Sequence, residues 1–305
     1  MRKSNISVVI TCYKEGHILL DAVYSVFRQS LLPLEIILVK DASNDIETKQ
    51  ACHTLSTDDR VNLIEHQENR GTSVARNVGF SAAQGEILVP LDADDLLPED
   101  ALKNIQLAFS RFPDAGFIHG SYIRQDSTER SHLVTAKTIS LNTMLRAKRF
   151  SLSSNWTLIG TAPLRKRLWE EIGHSDPSLD ASDLHDLEFW LRAMALPCQH
   201  FAIPEVIYIW RKYLGSNSRN VTPQSWYRIA DKHIDTYKSI GLEYRAHELL
   251  LLGSKWLGNR QDISYFRQRL IQSMLRGQCQ ASSFMALLLP TPLFRLLAKY
   301  LGRRR

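Results

Sequence analysis

The segment VPLDADDLLPED, residues 89–100, places three aspartates within four positions directly after an apolar run. In an extended chain side chains at i and i+2 point the same way, so Asp92 and Asp94 are expected to converge while Asp95 faces elsewhere. Two such carboxylates repel unless a cation lies between them. Mg²⁺ or Mn²⁺ suits the pair, because it takes few protein carboxylates and completes an octahedral shell with phosphate oxygens. The cluster therefore predicts half of a metal-diphosphate site. A second reading stays open. Pro98, Glu99 and Asp100 open a helix with Ala101, Leu102, Ile105 and Phe109 on one face, and acids are favoured at a helix N-terminus.

The elements around this cluster alternate in type. The run 6–10 (ISVVI) is apolar without alternation, as expected for a strand buried on both faces. Leu19, Ala22, Val23, Val26 and Phe27 then recur at helical spacing. Further strands are predicted at 35–39, 61–64 and 86–91, with helices at 46–56 and 72–83, the latter starting at Thr72 as N-cap and stopping before Gly85. Strands alternating with helices imply an α/β fold with a mostly parallel sheet and helices on both faces. In such sheets ligands collect at the carboxyl ends of the strands. Each strand here runs into a polar loop: TCYKE, KDASND, EHQENRG and DADD. None is a dinucleotide or P-loop glycine motif, which disfavours both of those folds.

Taken in order, these loops bring a family to mind. The chain resembles the family 2 inverting glycosyltransferases of the GT-A (Rossmann-like) fold. The resemblance rests on Thr11, Cys12 and Tyr13; on the KDASND loop; on Asn69, Arg70, Gly71 with Ala75, Arg76, Asn77; and on the Asp92 to Asp94 pair. It covers roughly residues 5 to 218 and implies metal-dependent transfer of a sugar from a nucleoside-diphosphate donor to an acceptor hydroxyl, typically in bacterial surface-polysaccharide or glycolipid synthesis. By resemblance Thr11, Tyr13, Glu15, Asp41, Arg76, Asp92 and Ala93 belong to the donor site, and Asp94 with Asp92 to Mn²⁺ or Mg²⁺. Tyr13 would lie against the base and Asp41 would accept a hydrogen bond from it; an aromatic face and an acceptor carboxylate suit those tasks. Arg76, one turn into its helix, is placed to meet a diphosphate together with the helix amides. Asn77 and Gly79 read as packing residues.

Residues 112–220 would form the acceptor half. Strands are expected at 115–123 and 132–136, an amphipathic piece at 140–147, and a strand followed by a helix from about Pro163 to Gly173. The family carries an acidic pair opening a helix that ends in Trp-Leu-Arg; here His185 and Asp186 precede Trp190, Leu191 and Arg192. Attack by an acceptor hydroxyl needs a base, and Asp186 is the candidate, with a helix-opening acid as its alternative. His185 and Trp190 are the acceptor-side candidates, His185 also reading as a surface histidine. Three residues depart from the family pattern: Lys40 stands for an acid, His185 for Glu, and Tyr213 for a frequent His.

Composition narrows the rest. The 305 residues carry 44% hydrophobic and 23% charged residues, enough for one large domain with an appendage. Of the net charge of +6, five come from Arg295, Lys299 and Arg303 to Arg305 in an acid-free tail, and no nucleic-acid motif accompanies them. Four dispersed cysteines without a CxxC pair argue against a disulfide framework or zinc site, and fit a cytoplasmic setting. Residues 221–305 read as three helices and a tail. In the tail Leu293, Leu296, Leu297, Tyr300 and Leu301 follow helical spacing with Arg295 and Lys299 opposite, which suits peripheral association with an anionic membrane, or else packing on the chain's own helices. Two other classes remain: a catalytically silent nucleotide-sugar-binding module, and a sugar-1-phosphate nucleotidyltransferase, for which the first loop lacks the glycines and arginines.

Overall fold

The computed structural model describes residues 4–126, 128, 130–148, 152, 154, 156–182, 184–212 and 222–302. Two compact units divide the chain. The first comprises Met1–Thr138, Leu158–Asp180 and His185–Ser216; the second comprises Ile139–Thr157, Ala181–Leu184 and Asn217–Arg305. The division is thus not a single cut near residue 220, since two short stretches inside the expected acceptor half group with the C-terminal helices.

The first unit begins with regular alternation: β1 (Ile6–Cys12), α1 (Ile18–Phe27), β2 (Glu35–Lys40), α2 (Ile46–Ser56), β3 (Val61–Glu65), α3 (Thr72–Ala82), β4 (Ile87–Asp92) and α4 (Ala101–Arg111). β1 pairs in parallel with β2 on one side and β4 on the other, and β2 with β3. The continuous apolar runs follow from this: Ile6, Val8, Ile10 and Ile37, Leu38, Val39 are buried because helices cover both faces of a parallel sheet. α1 turns Leu19, Ala22, Val23 and Val26 inward, the leucine and each valine contributing roughly 1.5–3 kcal/mol relative to exposure. Gly79 lets α3 approach closely, since a Cβ there would overlap Val9.

Beyond β4 the sheet becomes mixed. β5 (Ala115–Gln125), β6 (Ser131–Val134), β7 (Leu164–Arg165) and β8 (Gln199–Arg211) complete eight strands in the order β3-β2-β1-β4-β7-β5-β6, with β8 paired in parallel to β5. β7 is antiparallel to both β4 and β5. α6 (Lys166–Ile172) and α7 (His185–Ala195) also belong to this unit. Strands and helices appear where the periodicity placed them, except that no strand precedes Pro163; the strand at that point is the two-residue β7.

The second unit contains α5 (Leu141–Leu145), α8 (Pro223–Lys232), α9 (Ile234–Ser239), α10 (Glu243–Leu257), α11 (Arg260–Leu275), α12 (Ala281–Leu288) and α13 (Thr291–Gly302). The first of the three helices read in residues 221–305 is two, α8 and α9, broken at His233. α10 is buried along most of its length and carries a closed polar cluster. Arg245 pairs with Glu248 at 2.6 Å and donates to the carbonyl of Leu152, while Glu248 also accepts from Ser282 and Ser283. Among the described residues no single helix is long and apolar enough to cross a membrane.

Candidate active site

β1 lies where the strand order reverses: β2 and β3 extend to one side of it, β4 to the other. A crevice for a ligand is expected at the carboxyl ends there, and the pairing register sets Thr11 opposite Asp92 across it.

The aspartate triplet is shaped differently from the extended chain expected. β4 stops at Asp92, residues 93 and 94 form a turn, and the amide of Asp95 donates to the Asp92 carbonyl at 3.0 Å. Ala93 has its side chain in the core, so any donor contact from it is limited to backbone. Asp95 faces inward, accepting from the Tyr208 hydroxyl and the Arg211 amide, both at 2.7 Å. Burial, together with repulsion from Asp92 and Asp94, pushes its carboxyl up to about 8. Asp94 is pushed up to about 6 by burial and by Asp92. Glu15, whose carboxylate turns the chain by accepting from the amides of Tyr13 and Lys14, is also raised, first by burial. The site thus concentrates negative charge. Among the described residues no group of three or more His, Cys, Asp or Glu side chains forms a complete metal cage. Asp92 and Asp94, the latter with its carboxyl raised, fit a cation that completes its shell with phosphate and water.

Arg76 is the positive centre. It is 7% exposed and donates from Nη2 to Asp92 at 2.9 Å and from Nη1 to Asp186 at 2.5 Å. Burial works against its charge, but Asp186 and Asp92 outweigh it and hold the guanidinium more firmly charged than usual. One side chain on α3 therefore ties the end of β4 to the first turn of α7. Gly160 leaves room for the Asp186 carboxylate, which a Cβ at that position would overlap.

The N-terminus of α3 is filled by the chain itself. Gly71 occupies the cap position with φ of 87°, not Thr72, and Asp180 accepts from the Ser73 amide at 3.1 Å and from the Ser73 hydroxyl. His185 lies between two acids, Nδ1 3.5 Å from Asp180 and Nε2 3.3 Å from Asp186. Its side chain is 14% exposed, so it is not a free surface residue. Trp190 is corrected more sharply. It is 1% exposed and its indole donates to the Gly160 carbonyl at 3.1 Å, because residues 187, 190 and 191 share the inward face of α7.

Asp41 also departs from expectation. It is buried, and its two oxygens already accept from the amides of Arg70 and Gly71 and face His66 Nδ1 at 2.8 Å. It anchors the loop before α3. The neighbouring Ala42 has φ of 51°, left-handed backbone that a non-glycine residue adopts at a cost, and these bonds sustain it. Tyr13 keeps an exposed ring with the Lys14 ammonium 4.8 Å above it. Lys40, in place of an acid, pairs with Glu65 across β2 and β3. Cys12 and Cys52, distant in sequence, meet at 3.7 Å as buried free thiols. Tyr213 lies outside the described residues.

A mixed sheet with a parallel first half and charged loops at its strand ends is the GT-A glycosyltransferase architecture, to which the solved structures also point. The pattern of glycosyl transferase family 2 matches residues 7–173, more than half of the chain, and the chain belongs to that family. It is 28% identical over 236 residues to glycosyltransferase GlyG of Streptococcus pneumoniae serotype 4, covering 73% of this chain and 76% of that protein. A Bacillus subtilis protein described as the putative teichuronic acid biosynthesis glycosyltransferase TuaG is 31% identical over 44% of this chain and 54% of its own length. The crystal structure of S. aureus TarS 1–349 in complex with UDP-GlcNAc aligns with a TM-score of 0.62 at 17% identity, over 100% of this chain and 93% of that one. A longer TarS structure is covered over 43% of its length.

Proposed function

We propose that this glycosyltransferase transfers a sugar, with inversion, from a nucleoside-diphosphate sugar to an acceptor hydroxyl, and that Asp186 is the base. The observation that carries the reading is the Arg76 bridge: a single guanidinium spans the strand-end carboxylate Asp92 and the candidate base Asp186. That span is the scale on which the diphosphate side and the attacking side of one displacement must meet.

The residues divide the chemistry as follows. Tyr13 presents an exposed ring to the base of the nucleotide. Asp94 and Asp92 would hold a divalent cation, whose charge would balance that of the diphosphate leaving group. Arg76, drawn toward that diphosphate, loosens its pair with Asp186. A carboxylate relieved of a charged partner is more basic, so donor arrival raises the basicity of Asp186 toward the acceptor proton. Gly160 leaves room for that carboxylate, and His185 borders it. Asp41 supports the site by fixing the loop before α3.

The TarS structures name UDP and UDP-GlcNAc as that protein's ligands, and TuaG is named for a cell-wall polymer. UDP-sugars and surface-polysaccharide acceptors are therefore the first substrates to test. Purified chain is incubated with a panel of nucleotide sugars and Mn²⁺ while nucleoside diphosphate release is followed. Release from one donor class that stops on adding chelator is expected. Donor binding without release under any acceptor condition would favour the silent binding module instead.

A further inference from the structure

The last two helices of the second unit carry a dense apolar surface. α12 and α13 are separated by Leu289 and Pro290, and their axes bend by 112°. The bend is built from inside. Ser282, Ser283 and Ala286 of α12 and Phe294 of α13 are buried. Lys255 donates to the carbonyls of Ala286 and Leu289, both at 2.6 Å, filling the unsatisfied C-terminal end of α12. The Arg295 guanidinium in turn donates to the Lys255 carbonyl at 2.9 Å. Each helix is therefore seated on α10 by one side only.

The other side faces outward and is strongly apolar. Phe284, Met285 and Leu288 share one face of α12 by their spacing, and Leu293, Leu296 and Leu297 one face of α13. All six are exposed, from 39% for Met285 to 78% for Leu288. Isolated exposed leucines are ordinary, but six large side chains within two consecutive helices mark an interaction surface. Phe294 explains why the leucines are free: it, and not the leucine face, is what anchors α13.

Charge identifies the partner. No acidic residue follows Asp262, and from residue 281 onward the chain carries Arg295, Lys299, Arg303, Arg304 and Arg305. A second copy of this surface is a poor fit, because a two-fold contact sets each patch against itself and would bring two acid-free cationic segments together. An apolar interior edged with negative charge fits both features. We infer that α12 and α13 form a bent two-helix wedge that seats in the headgroup layer of an anionic lipid leaflet. At 1.5 Å per residue the twelve residues of α13 reach about 18 Å, well short of the ~30 Å hydrocarbon core. The wedge lies in the interface, its leucines and Phe284 entering the acyl boundary and the basic end meeting the headgroups. This inference does not depend on the reaction assigned to the first unit.

Full-length chain is sedimented with vesicles of phosphatidylcholine alone and of phosphatidylcholine mixed with phosphatidylglycerol, at low and high salt. Three proteins are compared: wild type, Leu288→Asp/Leu296→Asp, and Arg303→Ser/Arg304→Ser/Arg305→Ser. Unchanged thermal midpoints are expected for both variants, the altered leucines being exposed. Wild type is expected to bind the anionic vesicles only, and less at high salt. The leucine pair should abolish binding, and the arginine triple should weaken it roughly a hundredfold, from three basic residues near a charged surface. Absence of binding to anionic vesicles, equal binding by wild type and the leucine pair, or a wild-type dimer in light scattering that the leucine pair turns into monomer would each overturn the inference.

Discussion

Two buried arginines, one in each unit, are held by carboxylates under opposite conditions. Arg245 and its partner Glu248 are both fully buried, and the remaining acceptor capacity of Glu248 is filled by Ser282 and Ser283. Charges balance one to one and nothing opens to solvent. Arg76 is almost as deeply buried, but its partners Asp92 and Asp186 are 41% and 22% exposed, and Asp94, Asp95 and Glu15 crowd nearby with their carboxyls pushed upward. A closed, neutral cluster stabilises a fold and does little else. An open cluster with surplus negative charge costs stability until a cationic or proton-bearing ligand arrives, which is the physical mark of a site.

The strongest way to break this comparison is at Asp186. Asp186→Asn keeps the volume and removes the basicity, and loss of a positioned base costs about 10² to 10⁴ in rate. Initial-rate kinetics are expected to show that fall in kcat, with thermal stability near wild type. Gly160→Ala should lower kcat in the same direction, because its methyl overlaps the Asp186 carboxylate.

Arg245 should respond in the opposite currency. Arg245→Met leaves Glu248 buried without its partner, a defect that typically costs about 3–5 kcal/mol. Denaturant unfolding is expected to show that loss, while nucleotide affinity per folded molecule stays the same. A change in affinity at unchanged stability would erase the distinction between the two arginines.

The smallest expected effect is a pH slope. Asp95 binds its proton more tightly folded, near 8, than the ordinary 3.8. The folded chain therefore holds more protons than the unfolded chain across that window, and stability falls as pH rises through it. Metal-free protein in chelator should lose thermal midpoint between about pH 4 and 8, and Asp95→Asn should flatten the slope. A midpoint rising with pH in the wild type, with Asp95→Asn behaving identically, would contradict the assignment.

What the sequence made legible was local or periodic. Buried runs such as ISVVI mark parallel strands, helical spacing marks α1 and α3, and the loops that follow strands are where polar residues accumulate. Asp186 stands out through the family resemblance, as the acid that opens a helix carrying Trp-Leu-Arg, and it lies in the first turn of α7. Contacts that cross long separations were not. Asp180 caps α3 from 107 residues away and belongs to no periodic pattern. Trp190 reads as a contact residue until the inward face of α7 is known. Asp41 has the chemistry of a base acceptor, but the amides of Arg70 and Gly71 reach it first. The antiparallel insertion of β7 rests on two residues, too few for any alternation to register. Phe294 and the leucines of α13 are all apolar, and only packing decides which of them turns inward.

One measurement bears most directly on the claim that Arg76 joins the two ends of a single reaction centre. Affinity for UDP in the presence of Mn²⁺, or for whichever nucleoside diphosphate the donor screen identifies, is determined by calorimetry beside kcat for Asp94→Asn and Asp186→Asn. The expected result is a split. Asp94→Asn loses metal-dependent affinity by more than the roughly 10–100-fold that removal of a supporting residue costs a metal site, while Asp186→Asn keeps its affinity and loses turnover. Equal loss of affinity in both variants, or normal turnover by Asp186→Asn, would contradict it.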